Sequence, residues 1–173
     1  MKHLATLNFE NSENTEGFRR RIAARAVILD KEGNMALMHV ANHGYYKLPG
    51  GGVDEGEDIE SALHRECKEE AGCAIEIVGE IGTVSEVRGD HAFMQDSHAY
   101  IARLIGEKGE PELTDLEIEG GFEICWIPIE EALLLLRREG TTGYEAEYIV
   151  ERDAVIVEEA QNLKSPKEVI SFI

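Results

Sequence analysis

Residues 51–73 read GGVDEGEDIESALHRECKEEAGC, a glycine-rich loop running straight into a helix-forming segment crowded with carboxylates. On a 3.6-residue helix from Asp58 to Ala71, the side chains of Ile59, Ala62 and Leu63 form one stripe. Continued by threes and fours, the stripe reaches Glu66, Glu69 and Glu70, which fall within roughly 100° of arc. Three carboxylates are therefore expected on the side of the helix that should face a core. Like charges on one helical face repel, and more so once desolvated. Oxygen-only ligands in such a cluster suit a hard divalent cation, magnesium before zinc. The plainer reading, a solvated acidic face, stands beside it.

Two neighbouring features favour the metal. Gly50, Gly51 and Gly52 follow Leu48-Pro49, after a segment that reads as a strand. Glycines there let backbone approach a ligand and reach positive φ. The same loop delivers its groups to a helix N-terminus, where N–H groups and the dipole favour anions. A phosphate-friendly loop beside clustered carboxylates implies metal-bridged phosphate chemistry.

The segment resembles the signature of the Nudix hydrolases, G-x5-E-x7-R-E-U-x-E-E-x-G-U, where U is bulky and apolar. Gly51, Glu57, Arg65, Glu66, Glu69, Glu70 and Gly72 occupy every fixed position. Cys67 and Cys73 stand at the U positions, smaller than the usual aliphatic residues but still apolar. Looser similarity extends to Arg21–Leu29, to Leu48-Pro49-Gly50-Gly51 and to Cys125-Trp126-Ile127-Pro128.

Composition bounds the alternatives. A chain of 173 residues, 43% hydrophobic, is expected to form one domain over 1–173 with its core at about 20–163. No apolar run approaches the ~20 residues of a membrane span, so no membrane is expected as a partner. The opening MKHLATLNFENSE has neither an apolar h-region nor a cleavage site, and the expected location is the cytoplasm. Cys67, Cys73 and Cys125 lack disulfide or zinc spacing and read as small buried apolar residues; the six histidines show no zinc spacing either. A net charge of −18, from 35 acids and 17 bases, argues against a grip on nucleic acid polymers. It also opposes a polyphosphate at long range, so bound cations and a local basic pocket would have to offset it.

Pattern and punctuation predict strands at Ile22–Leu29, Met35–Val40 and Tyr45–Leu48, with a tight turn at Asp30–Asn34 between the first two. Further strands are expected at Ile75–Val87, His98–Ile105 and Ile124–Ile127. Helices are expected over the box, ending at Gly72, then at Ile129–Arg138 and Ala154–Leu163, with a tail from Ser165-Pro166. Glu107–Glu119 and Glu145–Glu159 read as solubilising surface. The expected class is α/β of α+β type, and the resemblance implies the Nudix α/β/α sandwich, a mixed sheet flanked by helices.

The resemblance also implies roles. Glu66, Glu69 and Glu70 would be the chief ligands of Mg2+ or Mn2+, helped by the Gly50 carbonyl and by Glu57. Arg65 would orient these carboxylates through bidentate hydrogen bonds. The general base would be Glu69 within the box or a glutamate outside it, with Glu123 preferred over Glu117 and Glu119. Lys47, Gly51 and Arg88 are the first candidates for substrate contact, with Arg19, Arg20, Arg21, Arg25 and Arg103 as further cations. Tyr45, Tyr46, Phe93 and Trp126 could stack on a base, Trp126 reading more naturally as core. Gln95, Asp96 and His98 could read a base edge. Family members that prefer ADP-ribose often carry a proline beyond the box, where this chain has Glu86-Val87-Arg88-Gly89. The expected substrate is a small nucleotide: a nucleoside triphosphate or a nucleoside diphosphate derivative, cleaved to a nucleoside monophosphate. The rival class is a non-hydrolysing Nudix module that binds a nucleotide as a sensor. Homodimers are common in the family.

Overall fold

The run Arg19 to Leu29 carries two interleaved sets of small and branched apolar residues. In the computed structural model, which describes residues 1–138, 141 and 143–163, they turn to opposite faces of a central strand, β2 (Arg19–Leu29). Around it lie β1 (His3–Leu7), β3 (Asn34–Val40), β4 (Tyr45–Lys47), β5 (Ala74–Arg88), β6 (Phe93–Ile105) and β7 (Phe122–Pro128). The helices are α1 (Ile59–Ala71), α2 (Asp115–Glu119), α3 (Ile129–Leu136) and α4 (Tyr144–Leu163). Ala24, Ala26 and Ile28 pack with Ala62, Leu63 and Cys67 of α1. Val27 joins the opposite layer, with Ala132 and Leu136 of α3 and Ile156 and Val157 of α4. The period-2 alternation of one strand thus specifies a sheet with helices on both faces.

The seven strands form one mixed sheet, in the order β1-β5-β6-β2-β3-β4, with β7 on β3. β2 runs parallel to β6 along its whole length, whereas it meets β3 only at Leu29 and Met35. β3 spends its pairing on β7 and β4 instead. The sheet therefore opens between β2 and β3, and the glycine loop fills the opening. Ala26 N–H donates to the Pro49 carbonyl at 3.1 Å, Ala24 N–H to Gly51 at 2.9 Å, and Val53 N–H to Ile22 at 3.0 Å.

The predicted turn at Asp30 is present. Its buried carboxylate accepts from the backbone N–H of Asn34 at 2.7 Å and of Glu32 at 3.0 Å, and from Lys108 at 2.6 Å. Burial pushes its pKa up, but the hydrogen bonds from Lys108 and Asn34 outweigh this and hold it below the usual aspartate value. Its stabilisation is present above the unfolded pKa and lost as pH falls through the lower folded value. Asp30→Asn is therefore expected to cost about 1–3 kcal/mol at pH 7. In urea unfolding at a series of pH values, the gap to wild type should close below about pH 4.

Four expectations need correction. β6 starts at Phe93, earlier than His98, and α4 starts at Tyr144, well before Ala154. The stretch Glu145–Glu159 is therefore not mere surface, because Tyr148, Arg152, Asp153, Ile156 and Val157 are buried along α4. Cys67 and Cys73 are buried as expected, while Cys125 is only half-buried; all three are free thiols. The tail from Ser165 lies outside the described residues. Among those described, no helix is long and apolar enough to cross a membrane.

Candidate active site

Asp58 caps α1 by accepting from Ser61 N–H at 2.8 Å. Gly72 ends the helix in the left-handed region at φ 61°, its N–H donating to the Lys68 carbonyl at 3.1 Å. Between these caps the helix directs its acids into the opening of the sheet. Glu70 is 3% exposed and Glu66 13%, so both are inward as the spacing predicts. Gly50 N–H donates to Glu70 at 2.8 Å, and Lys47 on β4 pairs with the same carboxylate. Gly51 leaves room for Glu66: a Cβ there would stand 2.2 Å from its Oε1. At Gly50, φ is +132° and a Cβ would stand 2.2 Å from the Ala24 carbonyl oxygen, which is backbone and cannot step aside. Gly50→Ala is expected to lose about 2 kcal/mol or more, read as a lower urea midpoint.

Arg65 organises the acids. It donates to Glu57 from Nε at 3.1 Å and Nη2 at 2.9 Å, and to Glu66 at 2.8 Å. It also reaches Glu69 at 3.3 Å and the Gly52 carbonyl at 3.0 Å. The hydrogen bonds to Glu57 above all drive the guanidinium's pKa up despite partial burial. The same bonds hold Glu57 below the usual glutamate value. Glu66 moves the other way: burial pushes its pKa up and the charge of Glu70 adds to this, against the Arg65 hydrogen bond.

These groups form one wall of an open cleft of about 400 Å³. Arg19, Arg21 and Arg25 of β2 line it, with Arg88, Gln95 and Phe93 from the neighbouring strands and Arg152 from α4. Arg152 donates to Glu86 at 3.0 Å and to Asp153 at 2.7 Å, all three buried. Asp153 in turn accepts from Leu48 N–H at 2.8 Å, which ties α4 to the start of the glycine loop.

The pattern of the NUDIX domain matches residues 19–147 of this chain. The chain belongs to the NUDIX domain family. A nucleoside triphosphate pyrophosphatase/Nudix hydrolase fusion protein of Bifidobacterium longum is 31% identical over 115 residues. That match covers 64% of this chain, which spans only 22% of the longer relative. Among solved structures, a MutT protein from Methanosarcina mazei Go1 superposes with a TM-score of 0.59 at 17% identity, over 86% of this chain and 99% of that one. A MutT NUDIX hydrolase from Burkholderia pseudomallei gives 0.54 at 20% identity, over 78% and 98%. At such identities the structures show a shared fold.

Within this Nudix framework the cleft sorts the candidate residues. Glu66, Glu70, Gly50, Gly51, Lys47 and Arg88 line it. Glu57 and Glu69 do not; they are turned to Arg65, and Glu69 is 42% exposed. Glu123 does not line the cleft: it lies opposite His39 on the β7–β3 ladder, 71% exposed, with His39 Nδ1 at 3.8 Å. Successive strand side chains alternate, so with Phe122 in the cleft wall Glu123 points away. Glu117 lines the cleft instead, anchored as the capping-box residue of α2.

Among the other cations, Arg20 and Arg103 lie off the cleft wall, and Arg103 pairs with Glu76. Arg88 is committed to Glu86, and both Arg88 and Arg19 sit over the Phe93 ring, at 5.5 and 4.6 Å from its centre. A base would compete with these cations for the Phe93 ring, and Lys108 lies over the ring of Trp126. Tyr46 stacks on His39, and of the proposed stacking rings Tyr45 and Phe93 line the cleft. Asp96 bonds Ser85 and neither it nor His98 lines the cleft. The Arg152–Glu86–Asp153 network was missed. Its signal was the i, i+4 stripe Tyr148, Arg152, Ile156, which sets Arg152 on a buried face.

Nudix hydrolases in general use divalent metal ions. Among the described residues, no three acid, histidine or cysteine side chains converge as a finished ligand set. The donor chemistry nevertheless fits a hard cation: two inward carboxylates under a glycine loop, Glu66 desolvated beside a second charge and accommodated only because position 51 lacks a Cβ.

Proposed function

We propose that the protein is a Mg2+- or Mn2+-dependent hydrolase that cleaves a pyrophosphate linkage in a small nucleotide. The substrate class is a nucleoside triphosphate or a nucleoside diphosphate derivative; the products are a nucleoside monophosphate and pyrophosphate or a phosphorylated fragment. The observation that carries this is the pairing of inward Glu66 and Glu70, under Gly50 and Gly51, with an arginine-lined wall across one cleft. The names of similar proteins point the same way: the Bifidobacterium relative is a nucleoside triphosphate pyrophosphatase fusion, and a structure from Streptococcus suis with the same fold is an ADP-ribose pyrophosphatase.

Glu66, Glu70 and the Gly50 carbonyl would hold the ion, with Glu69 and Glu57 in reserve on Arg65. A divalent ion, when bound, shields phosphoryl oxygens and lowers the pKa of a water. Arg65 keeps the box acids charged and oriented. The cleft arginines bind phosphate oxygens and offset locally the field of a chain with net charge −18. Hydrolysis forms a bond from the water oxygen to one phosphorus and breaks that phosphorus's bond to the bridging oxygen, which leaves with the other phosphate. The water's proton passes to a carboxylate; Glu69 is the candidate within the box and Glu117 the one outside it. Three free cysteines fit a reducing compartment, and we place the enzyme in the cytoplasm.

A panel of nucleoside triphosphates, nucleotide sugars and dinucleoside polyphosphates, incubated with magnesium and read by mass spectrometry, tests the reading. Nucleoside monophosphate is the expected product, and chelation should stop its release. Tight nucleotide binding with no turnover in magnesium or manganese would establish the sensor module instead.

A further inference from the structure

The chain neutralises its buried cations with care, and one is left out. Arg152 is balanced by Glu86 and Asp153, Arg88 by Glu86, and Lys47 by Glu70. Arg25 is 6% exposed and lines the cleft, yet among the described residues no carboxylate stands within ion-pair distance of it. Its Nε has no hydrogen-bond partner, and Nη1 finds only the neighbouring Ala24 carbonyl at 3.4 Å. Burial, with the charge of Arg152 beside it, lowers its pKa to about 10. A desolvated guanidinium in this state is costly unless an anion meets it.

Arg25 does not stand alone. Arg19 and Arg21 share its face of β2 by the period-2 rule, and among the described residues neither has an acidic partner within ion-pair distance. Arg21 is backed by Gly52, where a Cβ would stand 2.4 Å from its Nε, and reaches Gln95 at a long 3.5 Å. Six residues of strand span about 20 Å at the backbone, more than a single phosphate occupies.

Resting on the hydrolase reading, we propose that Arg19, Arg21 and Arg25 form a subsite for phosphoryl groups beyond the scissile linkage. The substrate then ends in a phosphate chain, as a nucleoside triphosphate does, and not in a neutral sugar. Three fork-shaped donors along one wall match several phosphate oxygens, whereas a sugar hydroxyl would leave Arg25 uncompensated.

Calorimetric titration with inorganic tripolyphosphate, in chelator and without metal, tests the subsite apart from catalysis. Wild type is expected to bind tripolyphosphate more tightly than orthophosphate. Arg25→Gln and Arg21→Gln should each weaken tripolyphosphate roughly ten- to a hundredfold. Arg20→Gln, off the cleft wall on the same strand, should match wild type. Should Arg25→Gln fail to fold, Arg21→Gln decides alone. Wild-type affinity in folded Arg25→Gln and Arg21→Gln would overturn the proposal. So would turnover that prefers nucleotide sugars and is untouched by either variant, a result that leaves the hydrolase reading standing. Tripolyphosphate binding by wild type that is lost in the two variants, with no nucleotide hydrolysed by wild type, would uphold the subsite while defeating the hydrolase.

Discussion

Glu66→Gln is expected to lower kcat for nucleotide hydrolysis by about a hundredfold or more while leaving the metal-free protein as stable as wild type. The two readouts separate chemistry from folding. Glutamine keeps the shape that fits against Gly51 and can still accept from Arg65, so the loop and α1 need not move. What is lost is one formal charge in a desolvated position beside Glu70. Without metal that charge is a burden, which is why the melting temperature should hold or rise. On the proposed reading it would be a ligand once metal is bound, so manganese affinity should fall along with kcat. Turnover of Glu66→Gln within a few fold of wild type would show that the inward carboxylate does not hold the ion.

The largest effect on stability is expected at a residue distant from the box. Arg152→Ala should destabilise the fold by about 3–5 kcal/mol, because Glu86 and Asp153 stay buried without their shared partner. At this chain length that is a fall in melting temperature of roughly 6–20 °C. Asp153 also holds Leu48 N–H, so activity should fall with stability as the glycine loop loses its tether. A paired change, Arg152→Met with Asp153→Asn, leaves Glu86 its bonds with Arg88 and should recover more than half of the loss. A melting temperature for Arg152→Ala within 3 °C of wild type, about one kcal/mol or less, would contradict the account.

How much of this was legible depends on whether the determining interactions are local. The inward turn of Glu66 and Glu70 follows from helical spacing alone, and the stop at Gly72 from its freedom at positive φ. Asp30 turns the chain through hydrogen bonds to residues two and four positions on, so the hairpin was readable. Glu69 was placed too deep, because the reach of Arg65 around the helix flank is not encoded in period. Seeing that Glu117 and not Glu123 lines the cleft requires the register of β7 on β3, a pairing of distant segments. The start of α4 was hidden because Arg152 and Asp153 read as surface, although each buries the other's charge. Arg25 sits within the apolar run AARAVIL, where strand alternation gives its face but not the cleft that face meets.

Crystals soaked in manganese with a non-hydrolysable nucleotide analogue, examined by anomalous diffraction, give the most direct test. The account predicts ion density between Glu66, Glu70 and the Gly50 carbonyl, in contact with phosphoryl oxygens. Nucleotide in the cleft with no ion there, and Glu66 and Glu70 still held by Arg65 and Lys47, would contradict it.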